Sequence, residues 1–237
     1  MFSIIKFHRN LATAIIVLLA VACKSHEPVD ILADYEVAMT NETPLRYYYH
    51  RMPENDTTWT DYRTVYEGQQ KFVIEEQFAD GLPTSKYKHK VKGQTQEIVE
   101  KIYYNLRDSV TGDIEAVKAD IIQHLQMEPE NDYSGFSFVD YYELSIGVGI
   151  KLKAECKYGG KETYHYNGRN IESIKLDHQF KMVTYFKWLP FYFHHSNFKG
   201  YVILSKGIGM TLYRAEDSDG IIYSQKLLRV EEIESKL

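Results

Sequence analysis

Between positions 151 and 158 the chain alternates without a break. Leu152, Ala154, Cys156 and Tyr158 fall on one phase, and Lys151, Lys153, Glu155 and Lys157 on the other. A two-residue period with β-compatible side chains is the signature of a strand buried on one face, so this segment commits the chain to a sheet. The Gly159-Gly160 pair that follows sits where a hairpin turn needs positive φ, and predicts a turn there. Cys156, on the apolar phase, reads as a small buried hydrophobe. The 20 Tyr and 11 Phe of the 237 residues are scattered through similar short segments. Turn signals at Asp80-Gly81, Asn167-Gly168 and Asp219-Gly220 separate strands near 71–78, 86–91, 164–166, 170–176 and 201–204. One stretch departs from the pattern. Ile114, Val117, Ile121 and Leu125 recur at three- and four-residue steps between Asp113, a good N-cap, and Pro129, which predicts a helix over 113–127. The preceding segment, 97–107, fits a helix through Ile98, Ile102 and Leu106, or a strand through Ile102, Tyr104 and Leu106. The expected fold is mainly β: a curved antiparallel sheet or half-barrel meander with one or two helices.

Ahead of that body stands an N-terminus of a different kind. Lys6, His8 and Arg9 precede an apolar run from Leu11 to Ala22, and Cys23 follows with polar residues behind it. The run is twelve residues long, well short of the roughly 20 needed to span a bilayer, so it reads as a cleaved secretory signal. Ala20-Val21-Ala22-Cys23 resembles the lipobox of bacterial lipoproteins. The resemblance implies diacylation of the Cys23 thiol, with palmitate-like chains, and cleavage before it. Several acyl chains at about 0.8 kcal/mol per buried methylene make a stable anchor. The implied organisation is a signal peptide at 1–22, an acylated cysteine with a polar tether at 23–41, and a single mainly β domain at 42–237. Removing 1–22 takes Lys6 and Arg9 out of a net charge of −5 and leaves −7, so the mature body is acidic. That balance excludes a broad phosphate-neutralising surface, and no nucleic-acid partner is expected. With Cys23 acylated, only Cys156 remains, and neither a disulfide framework nor a thiolate metal site is available.

Ser145-Ile146-Gly147-Val148-Gly149 and Ser205-Lys206-Gly207-Ile208-Gly209 match at the serine and both glycines, sixty residues apart, which reads either as a duplicated hairpin or as two independent glycine-stripped strand segments. Lys206-Gly207-Ile208-Gly209-Met210, with the turn and strand after it, resembles a closing hairpin of periplasmic lipoprotein carriers and related envelope lipoproteins. The resemblance implies a half-barrel shape and assigns no functional residue.

Motifs for chemistry are absent from the sequence: there is no nucleophile elbow, no phosphate-binding glycine loop, no His-Glu-x-x-His and no Cys-x-x-Cys. No cofactor or metal is therefore implied. His165, His178, His194 and His195 are read as rim or surface residues. The densest local feature is the aromatic run Tyr185-Phe186-Lys187-Trp188-Leu189-Pro190-Phe191-Tyr192-Phe193. Pro190 lacks a donor, which puts the run on an edge strand or a loop. Tyr185, Trp188, Phe191, Tyr192 and Phe193 are the candidate ligand-binding residues if exposed, and core if not. Tyr47-Tyr48-Tyr49 with Trp59 and Tyr62 offers a second wall for the same cavity. The function these features support is a non-enzymatic envelope lipoprotein of a Gram-negative-type bacterium, lipid-anchored at the outer membrane, leaflet open. It would bind a hydrophobic ligand, a glycan or an envelope protein. The alternatives are a hydrolase of envelope glycan or lipid using acids such as Asp140, Glu143 or Asp177, and an assembly adaptor.

Overall fold

The computed structural model describes residue 35 and residues 41–92, 95–108, 113–130, 133–144 and 147–234; the lipobox and most of the tether lie outside them. Thirteen strands follow one another: β1 (Leu45–Met52), β2 (Asp56–Glu67), β3 (Gln70–Ala79), β4 (Leu82–Lys92), β5 (Thr95–Asp108), β6 (Asp113–Lys118), β7 (Asp120–Glu130), β8 (Tyr133–Leu144), β9 (Val148–Tyr166), β10 (Arg169–Phe186), β11 (Leu189–Ser205), β12 (Gly209–Asp217) and β13 (Ile222–Glu232). They form one antiparallel sheet in the order β6-β5-β4-β3-β2-β1-β13-β12-β11-β10-β9-β8-β7, with β6 and β7 at its open edges. Among the described residues there is no helix.

The turn chemistry acts where the sequence places it at Asp80-Gly81 and Asn167-Gly168. Both residues of each pair take positive φ (53° and 78°, then 48° and 77°), the geometry of a two-residue hairpin. Gly159-Gly160 behaves otherwise. β9 runs through it to Tyr166, and the register with β10 slips by one residue there, so the glycines form a bulge rather than a turn. The Asp177 carboxylate fills the space that a Gly159 side chain would need.

The expected helix at 113–127 is two strands. Among the described residues β6 pairs with β5 alone and β7 with β8 alone, and between them Ala119 still donates its N–H to the Lys101 carbonyl at 2.9 Å. Register slips after Ile121 and after Gln126 each insert a residue into the two-residue period. The three-residue step from Ile114 to Val117 lies in β6 where its pairing with β5 is regular, so the two turn to opposite faces, and the four-residue step from Val117 to Ile121 crosses the break between the strands at Ala119. Pro129 is tolerated because β7 is an edge strand. The ambiguous segment 97–107 is strand β5; steps of four fit either period, and the bulge between its pairings at Glu100 and Ile98 turns Ile98 to the inner face with Lys101 and Tyr103, away from Ile102.

Inward-pointing residues build one core. Tyr47, Tyr49, Tyr62, Tyr87, Tyr103, Tyr142 and Tyr213 are buried in it with Val73, Ile150, Leu152, Leu176 and Leu204. Buried phenols need acceptors. Tyr47 Oη donates to the Ile208 carbonyl at 2.8 Å, across the interior from β1 to the residue before β12. The expected second aromatic wall is split by strand alternation: Tyr47, Tyr49 and Tyr62 face in, whereas Tyr48 and Trp59 face out under Arg46. The two ends of the sheet meet inside, where Lys101 of β5 pairs with Asp140 of β8 and the Tyr103 and Tyr142 rings stack at 4.4 Å.

Candidate functional site

β9, β10 and β11 are the longest strands, and the β10–β11 turn at Lys187-Trp188 is the tip of the arm they form. The Lys187 N–H donates to the Gly147 carbonyl at 2.9 Å, and its Nζ reaches Glu143 Oε1 at 3.0 Å. Tyr141 Oη donates to the other Glu143 oxygen at 3.2 Å. The hydrogen bond from Lys187 holds the Glu143 carboxyl below its usual pKa. Gly147, at φ 75°, lies against the edge of the Trp188 indole; a Cβ there would come within 2.6 Å of Nε1. The turn is thus pinned on one side and open on the other. Trp188 is 79% and Leu189 61% exposed, a large apolar outlay for a surface position. Tyr185 and Phe186 are half-buried behind them, and the side chains of Phe191, Tyr192 and Phe193 lie outside the described residues.

At the opposite end of β11 lies Tyr35. Tyr35 is buried and its carbonyl oxygen lies against Gly209, beside the Tyr47 ring. β11 has 17 residues, about 50 Å of strand at ~3.3 Å per residue, and separates that point from the aromatic tip.

A second constellation was invisible to motif searching. Glu75, Gln77, Ser85, His89, Lys101 and Asp140 are buried along the inner faces of β3, β4, β5 and β8. Gln77 Nε2 donates to Glu75 Oε1 at 2.7 Å, and His89 Nε2 lies 3.3 Å from Glu75 Oε2. Burial depresses the Lys101 pKa and outweighs the attraction of Asp140, which acts to raise it. Val73, Glu75, Gln77 and Ala79 share one phase in the sequence, and a charged residue in phase with apolar ones is the signal that marks such a group. Sealed from solvent, these residues brace the meeting of the sheet ends and offer no access to a substrate.

The three candidate acids occupy three separate places. Asp140 is buried with Lys101, and Glu143 is at the tip with Lys187. Asp177 is on the outer face of β10, with Lys175 Nζ at 3.0 Å. No two of them face one another as a catalytic pair must. Of the histidines, His165, His194 and His195 are exposed, but His178 belongs to the core. It lies parallel to the Tyr213 ring at 5.0 Å, beside Gly200, which pairs with both His178 and Ala215. Among the described residues, no group of three or more His, Cys, Asp or Glu is placed to hold a metal ion.

Burial pushes the His178 pKa from its ordinary 6.5 down to about 3. Below pH 6.5 the unfolded chain therefore takes up a proton that the folded chain refuses until about pH 3, and stability falls as pH drops through that window. At ~1.4 kcal/mol per unit, the native protein should lose about 2 kcal/mol more than His178→Phe between pH 6.5 and pH 5. Urea unfolding at both pH values measures this, and parallel losses in the two proteins would contradict it.

No protein-family model matches the chain, and no curated protein matches it. Three solved structures are similar. One, from Parabacteroides distasonis, is named as a lipoprotein: TM-score 0.48, 9% identity, covering 81% of this chain and 96% of that one. A second, from Bacteroides fragilis, is named as an exported protein with a YmcC-like fold: TM-score 0.47, 10% identity, 81% and 97% coverage. The third is the hypothetical lipoprotein YmcC of Escherichia coli: TM-score 0.26, 10% identity, 89% and 100% coverage.

Proposed function

We propose that this chain is an envelope lipoprotein, acylated on Cys23 and held at the outer membrane of a Gram-negative-type bacterium. It presents a non-enzymatic binding arm, tipped by Trp188, to another envelope protein. The observation that carries the reading is polarity along β11. Tyr35 lies at its Gly209 end, and the exposed Trp188-Leu189 pair stands about 50 Å away. Eleven residues separate Cys23 from Tyr35, at most about 40 Å of extended chain, which is too short to carry the anchor from Tyr35 to the tip. An aromatic pair at the far tip then faces away from the bilayer that holds the protein. There it suits a partner's surface, since exposed aromatic residues are favoured anchors of protein interfaces. Reconstituting the acylated chain and its Cys23→Ser variant with lipid vesicles tests the anchor: the acylated protein floats with the vesicles and the variant stays behind. A variant that floats equally well would overturn the reading.

A further inference from the structure

β12 stops at Asp217, which pairs with Phe198, and beside its end lies a groove of about 680 Å³. That volume is within the range of sites that take a small ligand. Gln179 and Lys181 of β10 stand in register with Lys199 and Asn197 of β11, and Lys199 in turn faces Glu216 of β12. All five side chains are exposed and line the groove. Phe180 and Phe198, partners in the same ladder and buried on the opposite phase, line it too. A groove bordered by both phases is not confined to one face of the sheet, and it combines polar walls with an apolar part.

The charges set the class of ligand. Two ammonium groups, on Lys181 and Lys199, are balanced by two carboxylates, on Glu216 and Asp217. Asp217 is committed within the protein: its Oδ1 accepts from the Asp219 and Ile221 N–H groups, each at 2.9 Å, and its Oδ2 from Tyr223 Oη at 3.1 Å. Lys199 and Glu216 stand opposite one another in the ladder, and among the described residues no ion pair joins them. A ligand carrying charge of one sign would meet a like charge here. A hydroxyl group meets no such conflict, because it donates to a carboxylate and accepts from an ammonium. The Gln179 and Asn197 amides and the Ser218 hydroxyl, which also lines the groove, both donate and accept and so match hydroxyl groups in the same way. The C–H faces of a sugar ring are apolar and suit the aromatic part.

We propose that the groove at the end of β12 binds an uncharged oligosaccharide, its hydroxyl groups held by Gln179, Asn197, Lys199 and Glu216 and its ring faces turned to Phe180 and Phe198. This site stands apart from the Trp188 turn, and neither depends on the other.

The test places the full chain, in detergent micelles, on an array of immobilised oligosaccharides: uncharged chains of glucose, galactose and mannose, and acidic chains that contain uronic acids. The native protein should be retained on uncharged members, with less than about a twofold change between about 50 mM and about 500 mM salt, since hydrogen bonds to a neutral ligand are not screened as ion pairs are. Gln179→Ala with Asn197→Ala should weaken that retention by at least about tenfold. Both positions are exposed, so the double variant should keep the native urea midpoint. Retention on acidic members alone, or retention lost at high salt, would mean attraction by charge and overturn the proposal. So would equal retention of the double variant, or no retention on any member. None of these results touches the anchor or the orientation of the tip, which the vesicle measurements test separately.

Discussion

Gly200→Ala is expected to destabilise the protein by about 3 kcal/mol or more, the upper end of what an added methyl does in a packed interior. A Cβ at Gly200 would lie 1.8 Å from the Arg214 carbonyl oxygen and 2.6 Å from the Ala215 Cα. Both are backbone atoms of β12, held in register with β11 by the Gly200–Ala215 pairing, and neither moves unless the ladder opens. Opening it also disturbs the neighbouring contact between the His178 ring on β10 and the Tyr213 ring on β12. Gly159→Ala is the contrasting substitution. Its Cβ would come within 2.6 Å of Asp177 Oδ2, but that is the end of a flexible, half-exposed side chain able to swing into solvent. About 1 kcal/mol or less is expected there. Urea midpoints of the two variants measure the difference, and a Gly200→Ala protein no weaker than Gly159→Ala would contradict this account of the β11–β12 contact.

The second large effect is expected at the meeting of the sheet ends. Lys101 and Asp140 are fully buried, on strands at opposite ends of the ladder, directly beneath the point where the chain passes from β6 to β7. Removing one partner leaves the other charge buried and uncompensated, so Lys101→Met and Asp140→Leu should each cost about 3–5 kcal/mol. Their combination replaces two desolvated charges with apolar volume and should recover most of that loss, a coupling of several kcal/mol. Burial depresses the Lys101 pKa, so the unfolded chain holds the proton more tightly than the folded one. Stability in the native protein therefore rises with pH from the depressed value to the ordinary lysine range, and Lys101→Met removes that rise. Additive losses in the double variant would show that the two groups act independently and that the pair does not join the ends.

The legible part of this fold is local. Asp80-Gly81 and Asn167-Gly168 form the turns their residue types predict, and the 151–158 alternation is part of β9. The lost part lies at irregularities of register. Gly159-Gly160 reads as a turn because glycine permits both a hairpin and a bulge, and only the partner strand decides between them. The helical spacing of 114–125 is shared between two strands and runs across the break at Ala119. The bulge in β5 hides Lys101 by changing which phase faces inward, so its inward residues, Lys101 and Tyr103, alternate with the apolar Ile102 that the sequence appeared to favour. His178 is misplaced for a related reason: residue type alone places it at the surface, and its ring partner, Tyr213, is distant in sequence. Of the aromatic run, the exposure of Trp188 and its position against Gly147 depend on where the β8–β9 turn arrives, which no local pattern encodes.

The central claim is that the chain is held by Cys23 with Trp188 pointing away from the membrane. Trp59→Phe leaves Trp188 as the single tryptophan, because the chain has two. Its fluorescence, in the acylated protein bound to vesicles with brominated acyl chains, reports whether the tip touches the bilayer. The account predicts emission characteristic of a water-exposed indole and no quenching beyond that seen with unbrominated vesicles. Strong quenching of Trp188 by the brominated chains would place the aromatic tip in the membrane and contradict it.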